Sequence, residues 1–415
     1  MKTFFLHYFA YRYSDVSILG EKLVFLACHC THLALSLPYM AGIYIHIPFC
    51  KQKCIYCDFY SIVNPRLVDA FVAAVPLELE RRIGEIGAQA ADTIYIGGGT
   101  PSVLSASQLK AVVSALTAHV PMSQIREFTI EVNPDDVNLG LCRHLCDIGV
   151  SRISMGVQSF SDDELRVINR RHSAAGAIEA FNCLRKSGFS NINIDLIFGL
   201  PGQTLESWRR NIDIALSLAP EHISCYGLMY EEGTLLYRMR KEGRVAECPD
   251  SLYNIMYNEL VDALVANGYL HYEISNFSLP GRHSIHNSYY WDGTPYLGIG
   301  PSAHSFDGQI RRYNPSSVAE YIKMIGMSGR AYVEETETND ERYNEYIMTR
   351  LRTMWGIAID DMASRFAPPY IDAFVKGVAG FLSSGMLVEY APGHFRLSEQ
   401  GMVCSDSVFR ELFIV

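Results

Sequence analysis

From Gly42 to Tyr226 the chain alternates short apolar runs with longer amphipathic stretches, and this rhythm restricts the fold more than any other feature. Strand candidates are Ile43–Ile47, Thr93–Ile96, Glu127–Val132, Arg152–Gly156, Asn191–Phe198 and His222–Tyr226. Helix candidates lie between them: Leu67–Ile83, Ser107–Ala118, Leu139–Ile148, Ser173–Ser187 and Leu205–Leu218. Strands separated by helix-length crossovers pair in parallel, with right-handed connections. A closed barrel of this type needs eight units and only six are countable, so the expectation is an α/β fold in the form of an open or partial six-unit barrel.

In such folds the chemistry gathers at the C-terminal ends of the strands. The polar motifs fall there. Cysteines follow the first strand, Gly97-Gly98-Gly99-Thr100 follows the second, Glu131 ends the third and Gln158 lies just past the fourth. The fifth strand puts Ile192, Ile194, Leu196 and Phe198 on one face and Asn193 and Asp195 on the other. An inward-facing buried carboxylate needs a partner, which a ligand hydroxyl or a purely structural group can supply.

Hydrophobic residues make up 49% of the 415 residues and charged ones 19%, enough for a large core. The net charge of -10 argues against broad nucleic-acid binding, which needs a basic surface. The chain has 11 cysteines and no convincing secretion signal, as expected of a reducing compartment. Cys142, Cys146, Cys183, Cys225, Cys248 and Cys404 are scattered and read as ordinary buried thiols.

Cys50, Cys54 and Cys57 are different, because they form a C-x3-C-x2-C triplet on one loop. Three thiolates bind three irons of a four-iron four-sulfur (4Fe-4S) cluster and leave the fourth iron open. S-adenosylmethionine (SAM) can chelate that iron, and the reduced cluster can then cleave its sulfonium bond. A structural zinc site would want a second cysteine pair, and a ferredoxin-type cluster a fourth cysteine.

Five further segments go with the triplet. They are Tyr44-Ile-His-Ile-Pro-Phe-Cys50, Gly97-Gly-Gly-Thr-Pro101, Glu131-Val-Asn-Pro134, Ser154-Met-Gly-Val-Gln-Ser159 and Asp195-Leu-Ile-Phe-Gly-Leu-Pro201. Together they resemble the radical SAM family that holds the oxygen-independent coproporphyrinogen III oxidases and the HemW-type heme chaperones. The resemblance runs from about Met40 to the C-terminus and implies a radical SAM barrel. It implies SAM contacts from Gly98, Gly99, Thr100, Glu131, Gln158, Arg170 and Asp195. Tyr44 and Tyr56 match contacts beside the cluster. Glycine there lets backbone approach the ligand, and the planar guanidinium of Arg170 suits a carboxylate.

Two features separate the branches of the family. The oxidases resemble C-x3-C-x2-C-x-C, whereas Phe59 holds the fourth cysteine's place here. His286-Asn-Ser-Tyr-Tyr-Trp291 resembles the HNxxYW motif of the chaperone branch. Histidine is a natural axial ligand for heme iron, so His286 is the heme candidate; the alternative is a buried cluster that closes the barrel. The resemblance therefore implies a heme chaperone that carries a SAM-binding 4Fe-4S cluster and delivers heme to acceptor proteins, respiratory ones among the candidates. The alternatives are an oxygen-independent coproporphyrinogen III oxidase and a non-catalytic iron–sulfur module.

The expected organisation is an unmatched extension over 1–39, the partial barrel over 40–270, an aromatic-rich segment over 271–338 and a C-terminal domain over 339–415. Helix patterns at Glu341–Arg352, Ile357–Phe366 and Tyr370–Ser384, then a hairpin around Pro392-Gly393, give that last domain a winged-helix-like α+β form. Met40 reads as a natural start. Leu23 to Phe49 carries no charge, but His29, Thr31, His32, Ser36 and Pro38 interrupt it, so no transmembrane span is expected. The expected location is cytoplasmic, with membrane association through partners left open.

Overall fold

The computed structural model describes residues 40–86 and 91–414. The expectations placed on residues 1–39 lie outside them.

Twelve strands form one sheet. They are β1 (Ala41–Ile47), β2 (Ala91–Gly98), β3 (Glu127–Val132), β4 (Arg152–Gln158), β5 (Ile192–Phe198), β6 (His222–Gly227), β7 (Leu270–Glu273), β8 (Asn276–Ser278), β9 (Tyr296–Ile299), β10 (His304–Phe306), β11 (Arg311–Tyr313) and β12 (Val333–Glu335). Their order is β12-β11-β10-β9-β1-β2-β3-β4-β5-β6-β8-β7, so the two ends do not meet and the barrel is open. Neighbours from β1 to β6 run parallel. Crossover helices Val68–Arg82, Ala106–Thr117, Leu139–Asp147, Ala174–Lys186 and Leu205–Leu218 follow β1 to β5 in turn. Four of them start at a side-chain cap, supplied by Ser105, Asn138, Ser173 and Thr204.

The count of six parallel strands is one short. Tyr296–Ile299 pairs in parallel with β1 on its outer side. Four residues between a proline and a glycine turn carry too little pattern to read as a buried strand. The amphipathic helix Asp250–Ala266 was legible but not expected: Met256, Leu260 and Leu264 recur every fourth residue, and Tyr257 and Val261 fill the same buried face.

Parallel strands covered on both faces usually read as continuous apolar runs. These alternate. Ile43, Ile45, Ile94, Ile96, Ile130, Ile153, Met155, Ile194 and Leu196 belong to the buried apolar core with the helices. The intervening positions are polar yet equally buried: Thr93, Glu127, Thr129, Arg152, Ser154, Asn193, His222 and Ser224. The sheet therefore curls around a polar lumen.

Helix Ile285–Asp292 plugs the N-terminal end of that lumen. Its first backbone N–H groups donate to Glu127 at 3.0 Å. His286 is fully buried, with Nδ1 2.9 Å from Thr93 Oγ1 and Nε2 3.0 Å from the Tyr290 hydroxyl. Its ring presses on the β1 backbone so closely that a Cβ at Gly42 would lie 2.9 Å from it.

The C-terminal region forms a separate three-stranded sheet of β13 (Ile357–Ala358), β14 (Leu387–Ala391) and β15 (His394–Leu397) in the order β13-β15-β14. With helices Asn339–Leu351, Ile359–Arg365 and Pro368–Ser383 it has the winged-helix-like composition expected. The six scattered cysteines are less uniform than expected: Cys142 and Cys225 are buried, but Cys146 and Cys404 are exposed.

Burial, and secondarily Arg152, lowers the His286 pKa from 6.5 to about 3. Above pH 6.5 the ring is neutral in both folded and unfolded chains. Below it only the unfolded chain gains the proton, so stability falls as pH drops from 6.5 toward about 3. His286→Gln is expected to cost about 1–3 kcal/mol near neutral pH through lost hydrogen bonds. That penalty should shrink by about 1.4 kcal/mol for each pH unit below the unfolded pKa. Urea unfolding of both proteins across that range checks this; parallel acid losses would contradict it.

Candidate cluster and cofactor site

The loop after β1 carries Cys50, Cys54 and Cys57, all free thiols and all half-buried. Main-chain bonds fix it from three sides. Cys50 N donates to Ile62 O at 3.1 Å, Ile55 N to Ile168 O at 3.4 Å, and Leu236 N to Ile55 O at 2.9 Å. Asn169, in the left-handed region at φ 61, receives Gln52 Nε2 on Oδ1 at 2.8 Å and donates to Lys53 O at 3.0 Å. The next residue is Arg170. One asparagine thus sets the cysteine loop and the guanidinium relative to each other.

Two donors already reach the sulfurs. Thr100 Oγ1 lies 3.5 Å from Cys50 Sγ, and Arg170 Nη1 lies 3.5 Å from Cys54 Sγ. Hydrogen bonds to sulfur are one lever by which a protein tunes an iron–sulfur cluster. Burial, reinforced by Cys54, pushes the Cys57 thiol up to about 12. A thiol so reluctant to ionise needs a cation beside it, and an iron cluster supplies that charge. Three free thiols on one loop are the donor set that a cluster held by three thiolates takes.

The predicted SAM residues converge on the same end of the lumen. Glu131 accepts from the Tyr95 hydroxyl at 2.9 Å and from Gly98 N at 3.0 Å. Burial raises its carboxyl to about 7, opposed by the Tyr95 bond and helped by Asp195. Asp195 is likewise raised by burial, while Asn193 at 2.7 Å and Ser154 at 3.2 Å favour its charged form. Arg170 spans the site, with Nη2 on Asn133 Oδ1 at 2.8 Å and on the Gly156 carbonyl. Its buried Nε has no protein partner, as a guanidinium awaiting an anionic ligand would have. Gln158 beside it holds φ 68, a strained value for a non-glycine residue. Tyr56, half-buried between Cys54 and Arg170, is held neutral chiefly by desolvation. Tyr44 reaches His46 Nδ1 at 3.0 Å from the same face of β1.

The glycine run also meets a local steric demand. A Cβ on Gly99 would meet the carbonyls of Phe49 and Ile47 at 2.7 and 2.8 Å, and one on Gly98 the His46 ring at 2.5 Å. These glycines let β2 lie flush against the cysteine loop.

His286 does not join this site. It lies at the opposite end of the lumen, and both its ring nitrogens are already bonded. As folded it has no nitrogen to offer an iron, so the heme candidate named from sequence takes the barrel-closing role instead. Sequence reasoning also missed Tyr95, Asn133, Ser154 and Asn193. All but Asn133, which follows β3 directly, alternate with apolar residues along strands already recognised.

Asn193 starts a relay through the lumen. Its amide nitrogen donates to Asp195, so its oxygen faces His222 Nδ1 at 2.7 Å. His222 Nε2 then accepts from the Tyr272 hydroxyl at 2.6 Å, and Ser284 N donates to that same oxygen at 3.2 Å.

Residues 44–215 match the model of the Radical SAM superfamily, and residues 338–404 that of the HemN C-terminal domain. The heme chaperone HemW of Bacillus subtilis is 37% identical over 89% of this chain and 98% of its own length. This chain belongs to the HemW family. The Lactococcus lactis HemW is 32% identical over 89% and 97% of the two chains. A zebrafish relative, radical S-adenosyl methionine domain-containing protein 1, mitochondrial, is 30% identical over 90% and 87%. The Escherichia coli coproporphyrinogen III oxidase HemN superposes with a TM-score of 0.77 over 91% of each chain at 23% identity, a likeness of fold. Family membership implies a 4Fe-4S cluster and SAM. Among the described residues no helix is long and apolar enough to cross a membrane.

Cys54→Ala should abolish the visible absorbance of the reconstituted cluster; a retained cluster would contradict the cradle. Gly99→Ala should force the loop apart, at about 1–3 kcal/mol, and lower iron content while circular dichroism stays near wild type. Full iron content in that variant would show that the loop does not depend on the close fit.

Proposed function

We propose that this chain is a heme chaperone, binding heme and passing it to acceptor proteins while a SAM-binding 4Fe-4S cluster sits at the mouth of its barrel. The observation that carries the reading is its 37% identity to a HemW heme chaperone along 98% of that protein. Phe59 supports it, standing 40% exposed where the oxidase branch has a fourth cysteine.

Cys50, Cys54 and Cys57 hold three irons, and the bound cluster with SAM supplies reductive sulfonium chemistry. The chain's own residues orient and select. Arg170 presents its unpaired Nε to the ligand carboxylate. Glu131, poised near neutrality by burial, ionises readily when a cationic ligand enters. Asp195 takes a ligand hydroxyl, and Tyr44, Tyr56, Thr100 and Gln158 line the approach. His222, held neutral by burial, carries hydrogen bonds away from this site rather than protons into it.

Anaerobic reconstitution, followed by heme titration and a coproporphyrinogen III decarboxylation assay on the same sample, tests the reading. Stoichiometric heme uptake, transfer to an apo-hemoprotein and no decarboxylated product are expected. Protoporphyrinogen formation would overturn the proposal in favour of the oxidase. Failure to take up heme or bind SAM would leave a non-catalytic iron–sulfur module.

A further inference from the structure

With His286 sealed inside the plug, the iron ligand must be sought elsewhere. His283, three residues earlier, is the contrasting case. Its ring is half-buried, and among the described residues neither ring nitrogen has a hydrogen-bond partner. It stands at the junction of the barrel with the C-terminal region. Tyr272 backs it at 5.8 Å between ring centroids, and Trp355 flanks it at 5.8 Å with the two ring planes at 69°. Trp355 is 41% exposed, and Tyr390, whose hydroxyl donates to Trp355 O at 2.6 Å, is 42% exposed.

We propose that this junction is the heme-binding site, with His283 as an axial ligand to the iron and Trp355 packed on the porphyrin. The inference rests on the heme-chaperone reading and adds where the heme sits.

Three physical requirements of heme are met together. The first is a nitrogen free to coordinate. Burial holds the His283 pKa below its usual value, opposed by Glu127 and helped by Arg126 and Arg152, so the ring is neutral at physiological pH. Neutral imidazole is the ligating form. The second is apolar contact in the correct orientation. A ligating imidazole stands upright on the porphyrin, and an indole at 69° to that imidazole can lie nearly flat along the macrocycle. The third is cationic partners for two propionates. Among the described residues Arg282 is exposed and makes no ion pair, while Arg126 is 55% exposed and pairs with Asp92. Arg396 lies over the Tyr390 ring at 4.8 Å. Such a grouping is notable on a chain of net charge -10. His286, by contrast, is fully buried with both ring nitrogens engaged.

The site lies at the end of the lumen away from the cysteines. Tyr272, which backs both His283 and Trp355, is the last side chain of the relay from Asp195. Heme cargo and cluster are thus bound apart, on two ends of one hydrogen-bonded frame.

The test is hemin titration of the cluster-reconstituted full chain, read by absorption and electron paramagnetic resonance. Wild type should give a histidine-ligated spectrum. His283→Ala should lose it and raise the heme Kd about tenfold or more, and added imidazole should restore the spectrum. Trp355→Ala should weaken binding several-fold without changing the ligation type, and Arg282→Glu should weaken it likewise. His286→Gln should leave the spectrum as in wild type. Iron content and circular dichroism report folding in every variant. A wild-type spectrum in His283→Ala overturns the site while the chaperone reading stands. Absence of heme binding by the wild-type protein overturns both.

Discussion

The structure depends on the period-two alternation of its parallel strands. A parallel sheet covered by helices on one face and curled around a lumen on the other would normally fill both with aliphatic side chains. Here the outer face does so, and the inner face carries Thr93, Thr129, Ser154, Asn193 and Ser224 instead, with half-buried Asp195 among them. Burying those groups is tolerable only if each finds a partner. Much of the detail follows from that demand: the Asp195–Asn193–His222–Tyr272 relay, the Glu131–Tyr95 bond, and the plug helix whose amide groups close on Glu127. Arg152 Nε and Nη2 and Thr129 Oγ1 stay without a protein partner, which marks the lumen as a place for water or ligand.

The two ends of the lumen are built differently. At the C-terminal end the glycines of β2 bring it against the cysteine loop, and Asn169 ties that loop to Arg170. The result is a mouth with unsatisfied capacity: free thiols, an unpaired guanidinium N–H and two carboxyls raised by burial. At the N-terminal end the plug's own groups are paired, while the buried Arg152 guanidinium beside it keeps Nε and Nη2 free of a protein partner. His286 spends both nitrogens on Thr93 and Tyr290, and Glu127 takes three donors from the start of the plug helix. Beside that plug, His283 and Trp355 present ligating and aromatic surface.

Most of the barrel was legible because its signals are local. Glu127–Val132 and Leu205–Leu218 have the same limits in the sequence pattern and the structure. The three cysteines were legible through spacing alone. What escaped was set by tertiary partners. Tyr296–Ile299 is a strand because β1 offers it an edge, not because four residues announce one. His286 looked like a ligand because histidine among aromatics suits heme, and sequence carries no record of a ring whose nitrogens are both spoken for. The close fit of Gly99 against the backbone at Ile47 and Phe49 escaped too, because the sequence does not show which segments touch.

The central claim is that three thiolates at the barrel mouth leave one iron of a four-iron cluster open to SAM. Electron paramagnetic resonance of the dithionite-reduced, reconstituted protein, recorded with and without SAM, tests it most directly. A four-iron cluster signal whose g values shift when SAM is added is expected, because the ligand binds iron. A cluster signal indifferent to SAM would contradict it.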